Sequence, residues 1–133
     1  MVHGSCSSAG CAMTHKAIAE IYALAREAFA GGQPAFQFQV YPFRMRPENL
    51  AKHRADPNLA FWSNLKEGSD IFEVTREEPQ VAVTNQRYHF GPEQPTVAAK
   101  RAADEQRFAA LLAEGTPAMR LLYEDGGQHA SFR

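Results

Sequence analysis

Apolar residues return at helical spacing along Thr14 to Ala30, "THKAIAEIYALAREAFA". Ile18, Ile21, Tyr22, Ala25 and Phe29 form one stripe, and Lys16, Glu20, Arg26 and Glu27 lie mostly off it. The pattern predicts a helix capped by Thr14, whose hydroxyl can accept from a free backbone N–H, and stopped by Gly31-Gly32. The period then changes to two. "AFQFQVYPF", Ala35 to Phe43, alternates Phe36, Phe38 and Val40 with Gln37 and Gln39, which predicts a half-buried strand ended by Pro42. Pro47 to Arg54 reads as a short helix with proline in its first turn. Asp56-Pro57 opens another, with Asp56 as N-cap and then proline, running through Phe61, Trp62 and Leu65 towards Phe72, with Gly68 as a weak point.

"QVAVTNQ" from Gln80 predicts a second strand with Val81 and Val83 on one face, and "FGPEQP" (Phe90 to Pro95) a loop. Val97 to Glu114 is rich in Ala, Glu, Gln and Arg, a helical composition, with Phe108, Leu111 and Leu112 as its buried end. "MRLLYEDGGQHASF" predicts a hairpin around Asp125-Gly126-Gly127. Repeats, low-complexity tracts and domain-splitting linkers are not seen, so residues 1–133 read as a single α+β domain.

Composition narrows the function. With 44% hydrophobic residues the chain can bury a core, which argues against wholesale disorder. A formal net charge of -1 calls for no strongly basic face, so nucleic acid is not the default partner. No apolar run approaches the roughly 20 residues of a membrane span. The stretch after Met1 does not read as a signal peptide, because no basic and then apolar run follows it.

The densest chemistry lies in "HGSCSSAGC", His3 to Cys11. A thiol is a good nucleophile only once ionised, so a catalytic cysteine needs a base or a positive environment. His3 can be that base for Cys11 if the small residues between them fold back, and the helix starting at Thr14 can help hold a thiolate. Gly10 allows close approach of a substrate carbonyl, and the amides of Gly10 and Cys11 are natural oxyanion donors. Other readings fit the same residues. His3, Cys6, Cys11 and His15 give H-x2-C-x4-C-x3-H, four donors of the kinds that hold zinc, although the spacing is unlike the usual knuckles. Cys6 and Cys11 could pair as a disulfide, which would consume the nucleophile. The segment could equally be a terminus with incidental cysteines.

"VHGSCSSAGCAMT" resembles the active-site segment of the L,D-transpeptidases (YkuD-type catalytic domain), in which a His-Gly pair precedes a Ser-x-Gly-Cys motif. It is most similar to the YafK-like murein branch, with a short His-to-Cys loop and Ala-Met-Thr after the nucleophile. The resemblance continues through "EIYALAREAF", "VYPFRMRPENLAKH", "FWSNLKEGSDIFE" and "YEDGGQHASFR". It implies Cys11 as nucleophile, His3 as general base, the Gly4 carbonyl orienting the imidazole, Gly10 with Cys11 as oxyanion hole, and Ser8 shaping the turn. The wider family often has arginine two residues after the cysteine, where this chain has Met13. Arg44 and Arg46 are candidates for gripping a substrate carboxylate, since guanidinium matches its geometry; each is otherwise a solvated surface arginine.

The implied fold is the C-terminal portion of an L,D-transpeptidase-like domain, a mixed β-sheet with several packed helices. The implied activity is transpeptidation or hydrolysis of peptidoglycan stem peptides in the periplasm, with no cofactor and with a wall-attached protein as a further partner. Strands ahead of the His-Gly pair and an upstream leader are family features, so the chain is expected to be an N-terminally truncated member. A catalytically inactive interaction module and a small zinc protein are the alternatives. His53, His89 and His129 read as ordinary polar residues, Trp62 and Phe61 as packing residues, and "NQRYHFGP" as structural rather than groove-lining.

Overall fold

The computed structural model describes residues 2–4 and 11–119. They contain, in order, strands β1 (Val2–Gly4) and β2 (Cys11–Met13), helices α1 (His15–Ala30), α2 (Pro47–Lys52) and α3 (Leu59–Thr75), strands β3 (Val81–Thr84) and β4 (Arg87–Phe90), and helix α4 (Pro95–Ala113). The class is α+β. The strands form two separate pairs, β1 with β2 in parallel and β3 with β4 antiparallel, rather than one mixed sheet among the described residues. The described residues fall into two compact units, one up to Phe38 and one from Gln39 onward. The hairpin expected around Asp125 lies outside them, as does His129.

In the first unit β1 and β2 precede α1. Thr14 caps the helix as its residue type predicts: its Oγ1 accepts from the backbone N–H of Ala17 at 3.1 Å. At the other end the Gly31 N–H donates to the Glu27 carbonyl. The apolar stripe is only partly realised. Ile18, Ile21 and Ala25 are half-buried, but Tyr22 and Phe29 are exposed, and α1 has no fully buried residue. A helix of 16 residues is about 24 Å long, and strands of three residues span about 10 Å, too short a layer to cover it. Phe29 instead stacks on Phe36, ring centroids 5.7 Å apart.

Ala35 to Phe43 is not a strand, which corrects the expectation from its alternation. Period two is present, but inverted: Phe36, Phe38 and Val40 are exposed while Gln37 and Gln39 are half-buried. Alternation specifies an extended chain with two unlike faces. A strand also needs a partner to complete its ladder, and none of the described pairings includes this segment.

The second unit has the core. Met45, Leu50 and Trp62 are its buried centre, with Tyr41, Phe43, Leu59, Leu65 and Phe108 packed around them. Phe43 meets Trp62 edge-on at 5.2 Å and stacks on His53 at 4.9 Å, so His53 is an aromatic packing residue. Pro47 begins α2 at a position where the missing N–H costs nothing. Asn58, not Asp56, is the N-cap of α3; Asp56 sets the turn two residues earlier, its Oδ1 accepting from the Asn58 N–H.

Gly68, deep in α3, is a contact point rather than a weak one. A Cβ there would sit 2.7 Å from Cζ of Phe90, so the ring in its present place needs glycine beneath it. β3 lies where the alternation predicts a strand, whereas β4 falls in a segment expected to be irregular. The connecting residues Asn85 and Gln86 both have positive φ (51° and 59°), the signature of a two-residue I′ turn usually written Asn-Gly. In the register Val83↔Tyr88, two steps from this turn, Tyr88 directs its N–H and C=O away from β3. The buried Asn64 of α3 satisfies both, donating from Nδ2 to the carbonyl and accepting at Oδ1 from the N–H, each at 2.9 Å. One side-chain amide thus replaces a strand.

Candidate functional site

Three of the sequence-predicted site residues lie on the small parallel sheet. His3 and Gly4 are in β1, and Cys11 opens β2. The register pairs Val2 with Cys11, His3 with Ala12 and Gly4 with Met13. The backbones of His3 and Cys11 are therefore on neighbouring strands, one register step apart. β2 passes through Met13 directly into the Thr14 cap, so Cys11 lies three residues ahead of the N-cap of a well-formed helix. Met13 is exposed where the wider family has arginine. Cys6, Ser8 and Gly10 lie outside the described residues. His15, the fourth donor of the alternative zinc set, is exposed in the first turn of α1.

Arg44 and Arg46 lie in the second unit. They flank the buried Met45 and both are exposed. Their backbones shape the start of α2: Arg46 is its N-cap residue, and the Arg44 carbonyl accepts from Nδ2 of Asn49 at 2.8 Å. Neither guanidinium has a carboxylate partner among the described residues.

A charge network between α3 and α4 is not anticipated by the sequence patterns above. Lys66 and Lys100 each donate to both Asp70 and Asp104. Asp70 has a side chain only 2% exposed, so two ammonium groups are needed to offset the cost of burying its charge. Burial pushes the Asp104 carboxyl up, but hydrogen bonds from Lys100 and Lys66 outweigh it and hold the group below the usual carboxylate range. Burial likewise pushes the Lys100 ammonium down, and its bonds to Asp104 and Asp70 reverse this, so its pKa lies above the ordinary lysine value. Burial also raises the nearby Tyr41 phenol; a hydrogen bond with Ser69 opposes this and the Asp70 charge adds to it. Lys66–Asp70 and Lys100–Asp104 are each i,i+4 pairs, and that repeated Lys-to-Asp spacing on two helices was the available signal.

No helix among the described residues is long and apolar enough to cross a membrane. No protein-family model matches the chain. Two curated relatives are similar to it. Both are called "Putative L,D-transpeptidase YafK", one from Escherichia coli strain K12 and one from E. coli O157:H7, and each is 46% identical over 89 residues. The match takes in 66% of this chain and 36% of each relative, so the chain spans little more than a third of their length.

Proposed function

The chain is a sequence relative of the YafK-like branch of the L,D-transpeptidases, and from that premise we propose that residues 1–133 are part of a cysteine-dependent catalytic domain acting on peptidoglycan stem peptides in the periplasm. Cys11 is the nucleophile and His3 the base that generates its thiolate. The thiolate adds to the carbonyl of the amide that follows an L-centre. The resulting oxyanion is held by the backbone amides of Gly10 and Cys11, and Ser8 shapes the turn that presents them. The imidazolium of His3, oriented by the Gly4 carbonyl, protonates the departing amine as the C–N bond breaks, leaving a thioester on Cys11. An incoming amine completes transfer, with a wall-attached protein or a second stem as the bound partner. Water instead completes hydrolysis. Arg44 and Arg46 are proposed to receive a substrate carboxylate, in a chain with Met13 at the family's arginine position.

The observation that carries this reading is the pairing of β1 with β2, which sets the backbones of His3 and Cys11 on neighbouring strands. The test is the pH profile of iodoacetamide alkylation. Cys11 is expected to reach half-maximal rate well below about pH 8, the range of an unassisted thiol. His3→Ala is expected to move the midpoint up towards that range, and Cys11→Ala to abolish labelling at that site. Acylation by a carbapenem, read as added mass on Cys11, is the second readout. An ordinary Cys11 profile without acylation leaves the inactive interaction module as the reading. Stoichiometric zinc lost in Cys6→Ser would assign the metal protein.

A further inference from the structure

The β3–β4 hairpin has two edges, and they are finished differently. On the β4 side, the N–H and C=O of Tyr88 are taken up by the Asn64 amide of α3. On the β3 side, the same register leaves the N–H and C=O of Val81 and Val83 pointing outward. Ala82 and Thr84 turn their hydrogen bonds inward to His89 and Arg87, as Gln80 does in accepting from the Gly91 N–H at 3.0 Å, so the alternate residues turn theirs away from β4. Those outward groups have no protein partner among the described residues, and all four residues of β3 are exposed.

Exposed edges are usually blunted by lysine, another charge or proline within the strand. Gln80 to Gln86, "QVAVTNQ", has none of these. The side chains add an apolar strip to the open edge. Val81 and Val83 share a face with their cross-strand partners Phe90 and Tyr88. α3 covers that face at β4, where Phe90 lies on Gly68 and Phe61 lies beside Tyr88, ring centroids 6.3 Å apart. It does not reach across β3, where Val83 is 65% exposed.

We propose that the β3 edge is a self-association surface, at which β3 of a second copy of this chain adds antiparallel about a two-fold axis through Ala82. The strand's own sequence selects this occupant. With the axis at Ala82, the outward groups of Val81 meet those of Val83 in the second copy, and the reverse, so every free group gains a partner. Valine then faces valine, alanine faces alanine at the axis, and Gln80 faces Thr84, with no charge set against a like charge. The axis is perpendicular to the sheet, so both α3 helices lie on the same face, separated by three strand spacings (~14 Å). A helix with its side chains is about 10–12 Å across, so the valines of both copies fill a narrow trough between the two helices. One short strand pair buries less than the roughly 1,200 Å² of a standard interface, so the association is weak and depends on concentration. The inference stands on the second unit alone and is independent of the chemistry assigned to Cys11.

The test is sedimentation of the full chain from micromolar to millimolar concentration, where a monomer–dimer equilibrium is expected. Ala82→Lys and Ala82→Glu, each at an exposed position on the face away from α3, place like charges across the axis. Each is expected to weaken the dimer at least about tenfold. Mixing the two variants sets opposite charges across the axis and is expected to restore association as a mixed dimer. In a mixture of 13C-labelled and unlabelled chain, an intermolecular Hα–Hα contact between the two copies of Ala82 is expected, since a non-hydrogen-bonded pair brings its Cα atoms to about 4.5 Å. The proposal is overturned if the chain stays monomeric across the range, if either charged variant dimerises like the parent, if the mixture associates no better than its components, or if the Ala82 contact is missing.

Discussion

Asp104 holds two lysines at once, and its worth to the fold depends on pH with a definite sign. Its carboxyl is held below the usual range in the folded chain, so its contribution is present above the unfolded value of about 3.9 and is lost as pH falls through the lower folded value. Asp104→Asn leaves Lys66 and Lys100 under-compensated beside Asp70. It is expected to cost on the order of 3 kcal/mol at neutral pH by urea denaturation, with the gap to the parent chain narrowing below about pH 4. Lys100 works in the opposite direction: its raised value makes its contribution complete at neutral pH and lost only as pH rises beyond the ordinary lysine range. Gln86 carries a different residue-scale cost. It has a side chain at φ 59°, where glycine has no penalty. Gln86→Gly is expected to raise stability by up to about 1 kcal/mol, read from the urea midpoint at unchanged slope.

At the scale of elements, much was legible because the cues were local. Thr14, Gly31, Pro47 and Asp56 each mark a helix boundary through a hydrogen bond or a missing donor within a few residues. What failed to show depends on partners remote in sequence. The period of Ala35 to Phe43 described its extended form correctly but could not say that it joins neither of the described strand pairs. β4 was hidden because Asn-Gln is a poor advertisement for a turn that Asn-Gly would announce, and because its dock, Asn64, lies 24 residues away. The candidate pair His3 and Cys11 was legible as motif chemistry, whereas three-residue strands are too short to be read from a pattern. Asn64→Ala removes both hydrogen bonds to Tyr88. It is expected to cost about 2–3 kcal/mol and to raise amide exchange across β3 and β4 more than across α4.

Across the whole molecule, burial is unevenly shared. The one tryptophan, Trp62, lies in the core of the second unit, while α1 in the first unit has no fully buried residue. Helical stability comes mostly from packing an apolar face, so α1 should open at lower free energy than the helices around Trp62. In a urea titration, part of the far-UV ellipticity is expected to be lost before Trp62 fluorescence changes. Coincident transitions would show that α1 is as firmly held as the core.

The meeting of Gly68 with Phe90 has a consequence for how this sequence can diverge. The ring occupies the space that any side chain at 68 would need, so neither position is free to drift alone. A lineage acquiring alanine at 68 must move the ring at 90 off the helix or accept a smaller residue there. In related sequences the two positions should change together or not at all. A glycine inside a helix would then be a historical marker of the hairpin packed upon it.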